Sequence, residues 1–240
     1  MSDMGKYAII GNKYNSLLSR PLYELGFNLI PLPDNPFIDA RLSSHADLSV
    51  FSFENTLFAA KYLENTEFCR FLQKNSIKFT FIEENQGEKY PNDAQLNICL
   101  LGRKFIYNPR TASLKVIEHL RTHGREGIEC KQGYTRCSVC AVDENSIITS
   151  DAGIAGKCRR SNLDVLEISP GHIELQGFDY GFIGGASIKL SNDILAFTGT
   201  LSEHPQYKII EGYIKSKGLE VIYLTDLPAF DIGSAIIIKT

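Results

Sequence analysis

Short apolar runs alternate with helix-like amphipathic stretches along the whole chain, and this alternation repeats itself. Five segments share one layout, in which a helix-like stretch ends at Gly or Asn and a short apolar strand follows. The five stops are Gly26, Asn75, Gly124, Asn162 and Gly218. They recur about every 48 residues when the chain ends are joined, a period typical of a supersecondary repeat. Gly and Asn accept the left-handed conformation that closes a helix, so the pattern predicts five strand-strand-helix-strand units.

A hairpin pattern precedes each stop, with two apolar runs around a polar turn. Four of the turns fall at residues 54–55, 102–103, 143–145 and 192–193. The fifth hairpin has no turn of its own, because its strands are predicted at residues 234–238 and 7–11, the two chain ends. Such pairing removes exposed sheet edges. We therefore predict one α/β domain over residues 1–240, a closed ring whose fifth unit is shared by the termini. The alternative is an ordinary α/β sheet of alternating elements.

Composition narrows the class of protein and its partners. The chain has 240 residues, of which 43% are hydrophobic and 22% charged, with a formal net charge of −3. The absence of a basic run argues against nucleic acid and membrane surfaces as partners. No apolar stretch has the length of a signal peptide or a membrane span, so we expect a cytoplasmic protein. Six irregularly spaced cysteines indicate a reducing compartment rather than a disulfide framework.

Two segments carry a resemblance to a known superfamily. The Gly184-Gly185 pair at the first strand of the fourth copy and the closing segment FDIGSAIIIKT resemble the penteins. These are five-bladed α/β propellers that include arginine deiminases, dimethylarginine hydrolases and amidinotransferases. The resemblance covers nearly the whole chain. It implies the guanidino-modifying chemistry of that fold, in which a thiolate attacks the guanidinium carbon, a histidine moves protons and carboxylates hold the cation.

The chain departs from the pentein pattern where that chemistry would occur. The place of the nucleophile falls at Gly233 or Ser234, and the place of the histidine falls at Tyr134. Ala186 follows the glycine pair, where the superfamily often has Asp or Asn. The chain therefore resembles a bacterial branch of the superfamily with a degenerate active site.

In such a ring, the residues just before the first strands lie near the central pore. The predicted ligand-binding set is His45, Asp47, Asn92, Asp93, Arg136, Asp179 and Asp231, with Tyr134, Cys137, Tyr180 and Ser234 beside them. Several carboxylates with one Arg suit a zwitterionic, amino-acid-like ligand, since the guanidinium grips its carboxylate while an Asp takes its cation. The alternative is that these polar groups satisfy one another and ordered water.

Three residues are candidates for catalysis. Cys137 is the best replacement nucleophile if Arg136 lowers its pKa, although neighbours in a strand point to opposite faces. His172 lies near Glu174 in the loop between the third and fourth copies, and the pair resembles an acid/base pair. Ser234 stands at the place of the nucleophile. The competing interpretations are a buried structural cysteine and an ordinary surface histidine.

Other motifs have simpler structural explanations. His119 and His123 lie one helical turn apart, but their place before Gly124 suits a helix C-terminus better than a metal. The glycines at 181, 184 and 185 precede a strand, which favours close backbone approach over a phosphate loop. Cys137 and Cys140 form a CxxC without a second ligand pair. We therefore expect no metal and no cofactor.

Two classes of function remain. The first is a protein that binds a small guanidino or amino-acid-like ligand in a polar central pocket, with an atypical hydrolase activity through Cys137 or His172. The second is a non-catalytic module with a protein partner, resembling the ribosome anti-association factor. The second class predicts a pore plugged by hydrophobic side chains and a wide exposed apolar face. A metal-dependent enzyme is the weakest of the hypotheses.

Overall fold

The computed structural model describes residues 6–239, and fifteen strands in that part of the chain form five three-stranded sheets. The strands are β1 (Lys6–Gly11), β2 (Asn28–Leu32), β3 (Val50–Phe53), β4 (Thr56–Ala59), β5 (Lys78–Phe81), β6 (Cys99–Leu101), β7 (Lys104–Tyr107), β8 (Glu126–Glu129), β9 (Val139–Ala141), β10 (Ser146–Thr149), β11 (Asp164–Glu167), β12 (Ser187–Lys189), β13 (Ile194–Phe197), β14 (Glu220–Tyr223) and β15 (Ile236–Lys239). The sheets are β15-β1-β2, β3-β4-β5, β6-β7-β8, β9-β10-β11 and β12-β13-β14. Five small sheets match the five predicted repeats.

Helices connect the second and third strands of every sheet. These connecting helices are α1 (Asn15–Glu24), α3 (Glu67–Lys74), α4 (Leu114–Thr122), α6 (Ala152–Arg160) and α7 (Tyr207–Ser216). Two single turns, α2 (Ala46–Ser49) and α5 (Thr135–Ser138), lie directly before β3 and β9. Within residues 6–239, none of the helices has the length and apolar character that a membrane crossing needs.

Each sheet follows the same chain path. The first and second strands are antiparallel, as a tight hairpin requires, and the second and third are parallel, as a helical crossover requires. In the first sheet, β15 from the C-terminal end pairs with β1, and Ile9 lies opposite Ile236. The predicted pairing of the two chain ends is confirmed.

Left-handed residues close the connecting helices. The φ angles are positive at Gly26, Gly124, Asn162 and Gly218, as predicted. In the second copy the predicted position was wrong by one residue. Asn75 is the C-cap with φ −97°, and Ser76 is the left-handed residue with φ 55°.

This difference makes a prediction about stability. Ser76→Gly is expected to raise the free energy of unfolding by about 0.5–1 kcal/mol, because glycine adopts the left-handed conformation without steric cost. Asn75→Gly is the matched control and is expected to lower it, since Asn75 has an ordinary φ and its Nδ2 donates to the Phe71 carbonyl at 2.8 Å. Urea denaturation of both variants measures the two changes. Destabilisation by Ser76→Gly would contradict this account of the helix stop.

The hydrophobic core consists of five clusters, each of which draws buried residues from two sheets. Alternate residues of each middle strand enter different clusters, because successive strand residues point to opposite faces. Leu57 of β4 packs in a cluster with the first sheet, and Phe58 packs in a cluster with β7. The corresponding pairs are Ala8 and Ile9, Phe105 and Ile106, Ile147 and Ile148, and Ala196 and Phe197. Both faces of every middle strand are therefore buried, which explains their nearly continuous apolar sequences.

Candidate functional site

Buried residues ahead of several first strands contact one another, and the single turns α2 and α5 position two of them. α2 carries Asp47 and α5 carries Cys137, so the prediction that Cys137 lies in a strand was wrong. Asn97, just ahead of β6, holds α5 in place. Its Oδ1 accepts the backbone N–H of Arg136 at 2.7 Å, and its Nδ2 contacts the Cys137 Sγ at 3.2 Å. The Asn97 side chain thus fixes the thiol.

A buried ion pair joins His45 to Asp231, with 3.3 Å between Nε2 and Oδ1. Asp231 also accepts the backbone N–H groups of Phe182 and Gly233, each at 2.9 Å. Burial acts to lower the pKa of His45, but the Asp231 carboxylate and the charge of Asp47 outweigh it, and the pKa is raised. The Asp231 carboxylate is therefore held in place beside the His45 ring by two backbone N–H groups.

Beside this pair, the Cys137 thiol donates to Asp47 Oδ2 at 2.8 Å. Burial raises the pKa of Asp47 to about 6. Burial and the carboxylates of Asp47 and Asp231 raise the pKa of Cys137 well above its usual value. The expected lowering of this pKa by Arg136 was wrong, because the two nearby carboxylates and burial dominate. Cys137 is a protonated thiol in this environment.

Arg136 and Ser234 form a separate contact beside these residues. The Arg136 Nη2 donates to Ser234 Oγ at 2.7 Å, and that hydroxyl donates to the Ser187 carbonyl at 2.7 Å. Ser234 is fully buried and left-handed, with φ 58°. Both hydrogen-bonding roles of its hydroxyl are taken, which leaves Ser234 a structural residue rather than a free nucleophile.

Glycines allow the chain to approach this cluster closely. A Cβ on Gly185 would lie well inside 3.0 Å of all the terminal atoms of the Asp231 carboxyl group. A Cβ on Gly184 would also lie well inside 3.0 Å of the backbone carbonyl oxygens of Arg136, Cys137 and Val139. The prediction of a close backbone approach at these glycines is confirmed.

Above the cluster lies a cavity of about 520 Å³, which we call the Asp231 cavity. Its floor is formed by His45, Cys137 and Asp231, and its walls include Leu42, Tyr90, Tyr134, Phe178 and Tyr180. The hydroxyl of Tyr134 donates to Asp93 Oδ2 at 2.5 Å. Burial raises the pKa of Asp93, while this hydrogen bond acts in the opposite direction. Asp93 therefore holds the Tyr134 ring in the cavity wall. Asp179 is exposed and lines the cavity itself.

A second cavity, of about 540 Å³, lies at the hairpin-turn end of the first strands. Arg136 and Asp47 line it together with apolar residues of β3, β6 and β15, and we call it the Arg136 cavity. Arg136 therefore opens into a different cavity from His45 and Asp231. The structure does not assemble the zwitterion site in which Arg136 and those groups share one ligand.

Two predicted site residues lie away from the Asp231 cavity. Asn92 is exposed, and its backbone carbonyl accepts the Gly87 N–H. His172 is exposed and left-handed, and its ring centroid is 5.3 Å from that of His204. Neither lines the cavity, while Tyr90 and Gln132, which the sequence did not single out, do.

The remaining motifs are accounted for by packing. His119 and His123 stack with centroids 4.2 Å apart against Phe53. Residues 6–239 contain no group of three His, Cys, Asp or Glu side chains arranged to hold a metal ion. The six cysteines are free and buried. The polar chemistry of the centre therefore rests on His45, Asp47, Cys137 and Asp231.

The buried groups predict a specific pH dependence. A raised folded pKa stabilises the protein below the unfolded pKa, and this stabilisation is lost as the pH rises through the folded value. Between pH 4 and 7, Asp47 with its pKa of about 6 is expected to lower the free energy of unfolding by about 2 kcal/mol. Asp47→Asn should remove that part of the decline, measured by urea denaturation at several pH values. The exposed Asp193→Asn serves as control, and parallel curves for wild type and Asp47→Asn would refute the assignment.

Solved structures with a similar fold fall in one group of enzymes. DDAH from Pseudomonas aeruginosa in complex with citrulline is 13% identical, with a TM-score of 0.55 and coverage of 92% of each chain. The agmatine deiminase of C. jejuni is 10% identical, with a TM-score of 0.56 and coverage of 93% of this chain and 87% of that one. For the inosamine-phosphate amidinotransferase of Streptomyces griseus the values are 10%, 0.56, 89% and 74%. These similarities show that the chain has the pentein fold.

The sequence defines the family more narrowly. Residues 9–236 match the model of a family of unknown function, DUF6873, and the chain belongs to that family. None of the curated proteins matches the sequence.

Proposed function

We propose that the five sheets close into a ring that forms one domain, and that the Asp231 cavity binds a small organic cation, a guanidine or an amine. Closure is supported by the core cluster that joins β1 to β12 and β13, the last sheet along the chain. The binding proposal rests on one observation. The cavity is lined by two aspartates, Asp179 and Asp231, and by the aromatic side chains of Tyr90, Tyr134, Phe178 and Tyr180.

This combination suits a cation for two physical reasons. A carboxylate in a partly enclosed cavity attracts a cation more strongly than one in open water. The rings of Tyr90, Tyr134 and Tyr180 line the cavity, and a cation over the face of such a ring gains about 0.5–1 kcal/mol of cation–π attraction. The names of the structural relatives agree with this choice, since they describe a citrulline complex, an agmatine deiminase and an amidinotransferase.

The polar floor also weighs against the interaction-module hypothesis, which predicted a hydrophobic plug. Buried polar residues occupy the positions before the first strands, among them His45, Asp47, Asp231 and Ser234. The exposed aromatic residues Tyr90, Phe178 and Tyr180 line the cavity rather than a flat face. A ligand pocket explains both features.

A second candidate function, hydrolysis through Cys137, is favoured by the contact between the thiol and Asp47 Oδ2. In this proposal the thiol proton passes to Asp47 and sulfur bonds to the guanidinium carbon. Ammonia then leaves with the proton from Asp47, and water cleaves the carbon–sulfur bond to regenerate the thiol and release a ureido product. A bound cation would offset the two carboxylates that raise the pKa of Cys137. Ammonia release that Cys137→Ala abolishes would support this step, and equal release by the variant would refute it.

The binding proposal is tested by thermal shift with a matched pair of compounds. Agmatine carries a guanidinium and an ammonium group, whereas butylurea has a neutral urea group on the same four-carbon chain and carries no charge. Agmatine at one hundred times its Kd is expected to stabilise the protein by about 2.7 kcal/mol, a shift of several degrees. Butylurea is expected to produce little or no shift.

Two variants assign the shift to the cavity. Asp231→Asn should abolish the agmatine shift, and Phe178→Ala, at an exposed wall position, should weaken it. Asp193→Asn, in the turn between β12 and β13, should leave it unchanged. Equal shifts with both compounds, or a shift that survives Asp231→Asn in a folded protein, would exclude the proposed site.

A further inference from the structure

We infer that the ligand of the Asp231 cavity is a cation that lacks a carboxylate, such as a decarboxylated amine or guanidine, and that amino acids such as arginine are disfavoured. This inference rests on the proposed function and specifies its substrate class. It follows from the groups that line the cavity and from the partners that those groups already have.

No Lys or Arg is among the described residues that line the cavity. Three of its polar side chains already face partners. His45 faces Asp231, and the Tyr134 hydroxyl donates to Asp93. The Gln132 Oε1 accepts the backbone N–H of Tyr134 at 3.1 Å, and its Nε2 lies 3.5 Å from Asp151 Oδ2. A ligand carboxylate would therefore lose water without gaining an Arg or Lys partner, a cost that specific sites usually avoid.

Other cations in this region also have partners. Lys13 lines an adjoining cavity that shares Asp179 and Asp231, and its Nζ donates to Gln176 Oε1 at 2.8 Å. Arg41 lies over the Phe178 ring, 4.2 Å from its centroid, and its guanidinium binds Asp39 and the Gly177 carbonyl. The pKa of Asp39 is lowered to about 2 by its hydrogen bonds from Arg41, in keeping with a firm ion pair. Arg136, the natural partner for a carboxylate, lines the other cavity.

Asp179 adds a repulsive element. It lines the cavity, is exposed, and makes no side-chain hydrogen bond within residues 6–239. Its carboxylate would repel a second carboxylate and attract a second amine. Discrimination of this kind combines a favourable group for one ligand with an unfavourable group for its competitor.

The test compares three ligands by isothermal titration calorimetry. Agmatine lacks the carboxylate, argininamide masks it as an amide, and arginine retains it. Agmatine and argininamide are each expected to bind at least about tenfold more tightly than arginine. Equal affinities for the three would overturn the inference and leave the proposed cation site intact. Failure of all three to bind would overturn the proposed function as well.

Charge reversal at Asp179 provides the internal check. Asp179→Asn is expected to reduce the ratio of agmatine to arginine affinity, and Asp179→Lys to reduce it further or to invert it. Asp193→Lys makes the same charge change in the turn between β12 and β13 and should leave the ratio unchanged. A ratio that is insensitive to Asp179→Lys, or that changes equally in Asp193→Lys, would refute the role of Asp179.

Discussion

Gly184→Ala is expected to lower the free energy of unfolding by more than about 3 kcal/mol and to disorder the centre of the molecule. The added Cβ would overlap three backbone carbonyls, those of Arg136, Cys137 and Val139. Backbone atoms of α5 and β9 cannot rotate away as a flexible side chain can. The strands would have to separate, and Cys137 would move from Asp47.

Gly212→Ala is the matched control. Gly212 lies inside α7, and nothing is within 4 Å of its would-be Cβ. Because alanine restricts the unfolded chain and favours helix, this variant is expected to gain about 0.5–1 kcal/mol. Urea denaturation of the two variants should give shifts of opposite sign. A near-neutral Gly184→Ala would show that the fourth copy does not pack against α5 as described.

Asp231→Ala is expected to be the most damaging substitution in the candidate site. It removes the acceptor for two backbone N–H groups and leaves His45 as a buried charge without its partner. Breaking a buried pair in this way typically costs about 3–5 kcal/mol. We also expect loss of agmatine binding, since the cavity floor loses its carboxylate.

A double-mutant cycle separates the ion pair from the other roles of Asp231. His45→Gln alone and Asp231→Asn alone should each destabilise the protein. The two together should cost less than the sum of the single changes, because the double variant leaves no unpaired charge. Additive costs would show that the contact between the His45 ring and the Asp231 carboxylate carries no coupling energy.

Much of the architecture could be predicted because short sequence signals mark the helix ends and hairpin turns of each repeat. Helix stops depend on the few residues that tolerate a left-handed conformation, and four of the five stops were located correctly. Ser76 was missed because serine is rarely used there, and the neighbouring Asn75 gave a stronger signal. The pairing of β15 with β1 followed from a hairpin that lacked its turn.

Which cavity each site residue lines was harder to predict, since this depends on the number of residues between it and the first strand. His45, Tyr134 and Asp231 each stand five residues before a first strand, and all line the Asp231 cavity. Asp47 and Arg136 each stand three residues before a first strand and line the Arg136 cavity. Aligning the copies on their strand starts would have separated Arg136 from His45. The single turns α2 and α5, which set this spacing, have no clear sequence signal.

The role of Asn97 could not be predicted from the sequence. The residue stands two residues before β6, as Cys137 stands two residues before β9, but it lies in an apolar stretch and resembles an ordinary buried amide. Its role depends on contact with α5, some forty residues away in the chain. Long-range hydrogen bonds of this kind are determined by the packing of the sheets rather than by local pattern.

The residues at the places of the pentein nucleophile and histidine have other tasks here. Ser234 receives a hydrogen bond from Arg136, and Tyr134 is tied to Asp93. The groups that line the Asp231 cavity, His45, Cys137 and Asp231, precede the first strands of three different sheets. The fold is therefore similar to that of the solved guanidino-modifying enzymes.

The most direct test of the central claim is a crystal structure of the protein soaked with agmatine. The account predicts density for the guanidinium within hydrogen-bonding distance of Asp231 and against the Tyr134 ring, in the cavity floored by His45 and Cys137. Density in the Arg136 cavity, or an unoccupied Asp231 cavity at saturating agmatine, would contradict it.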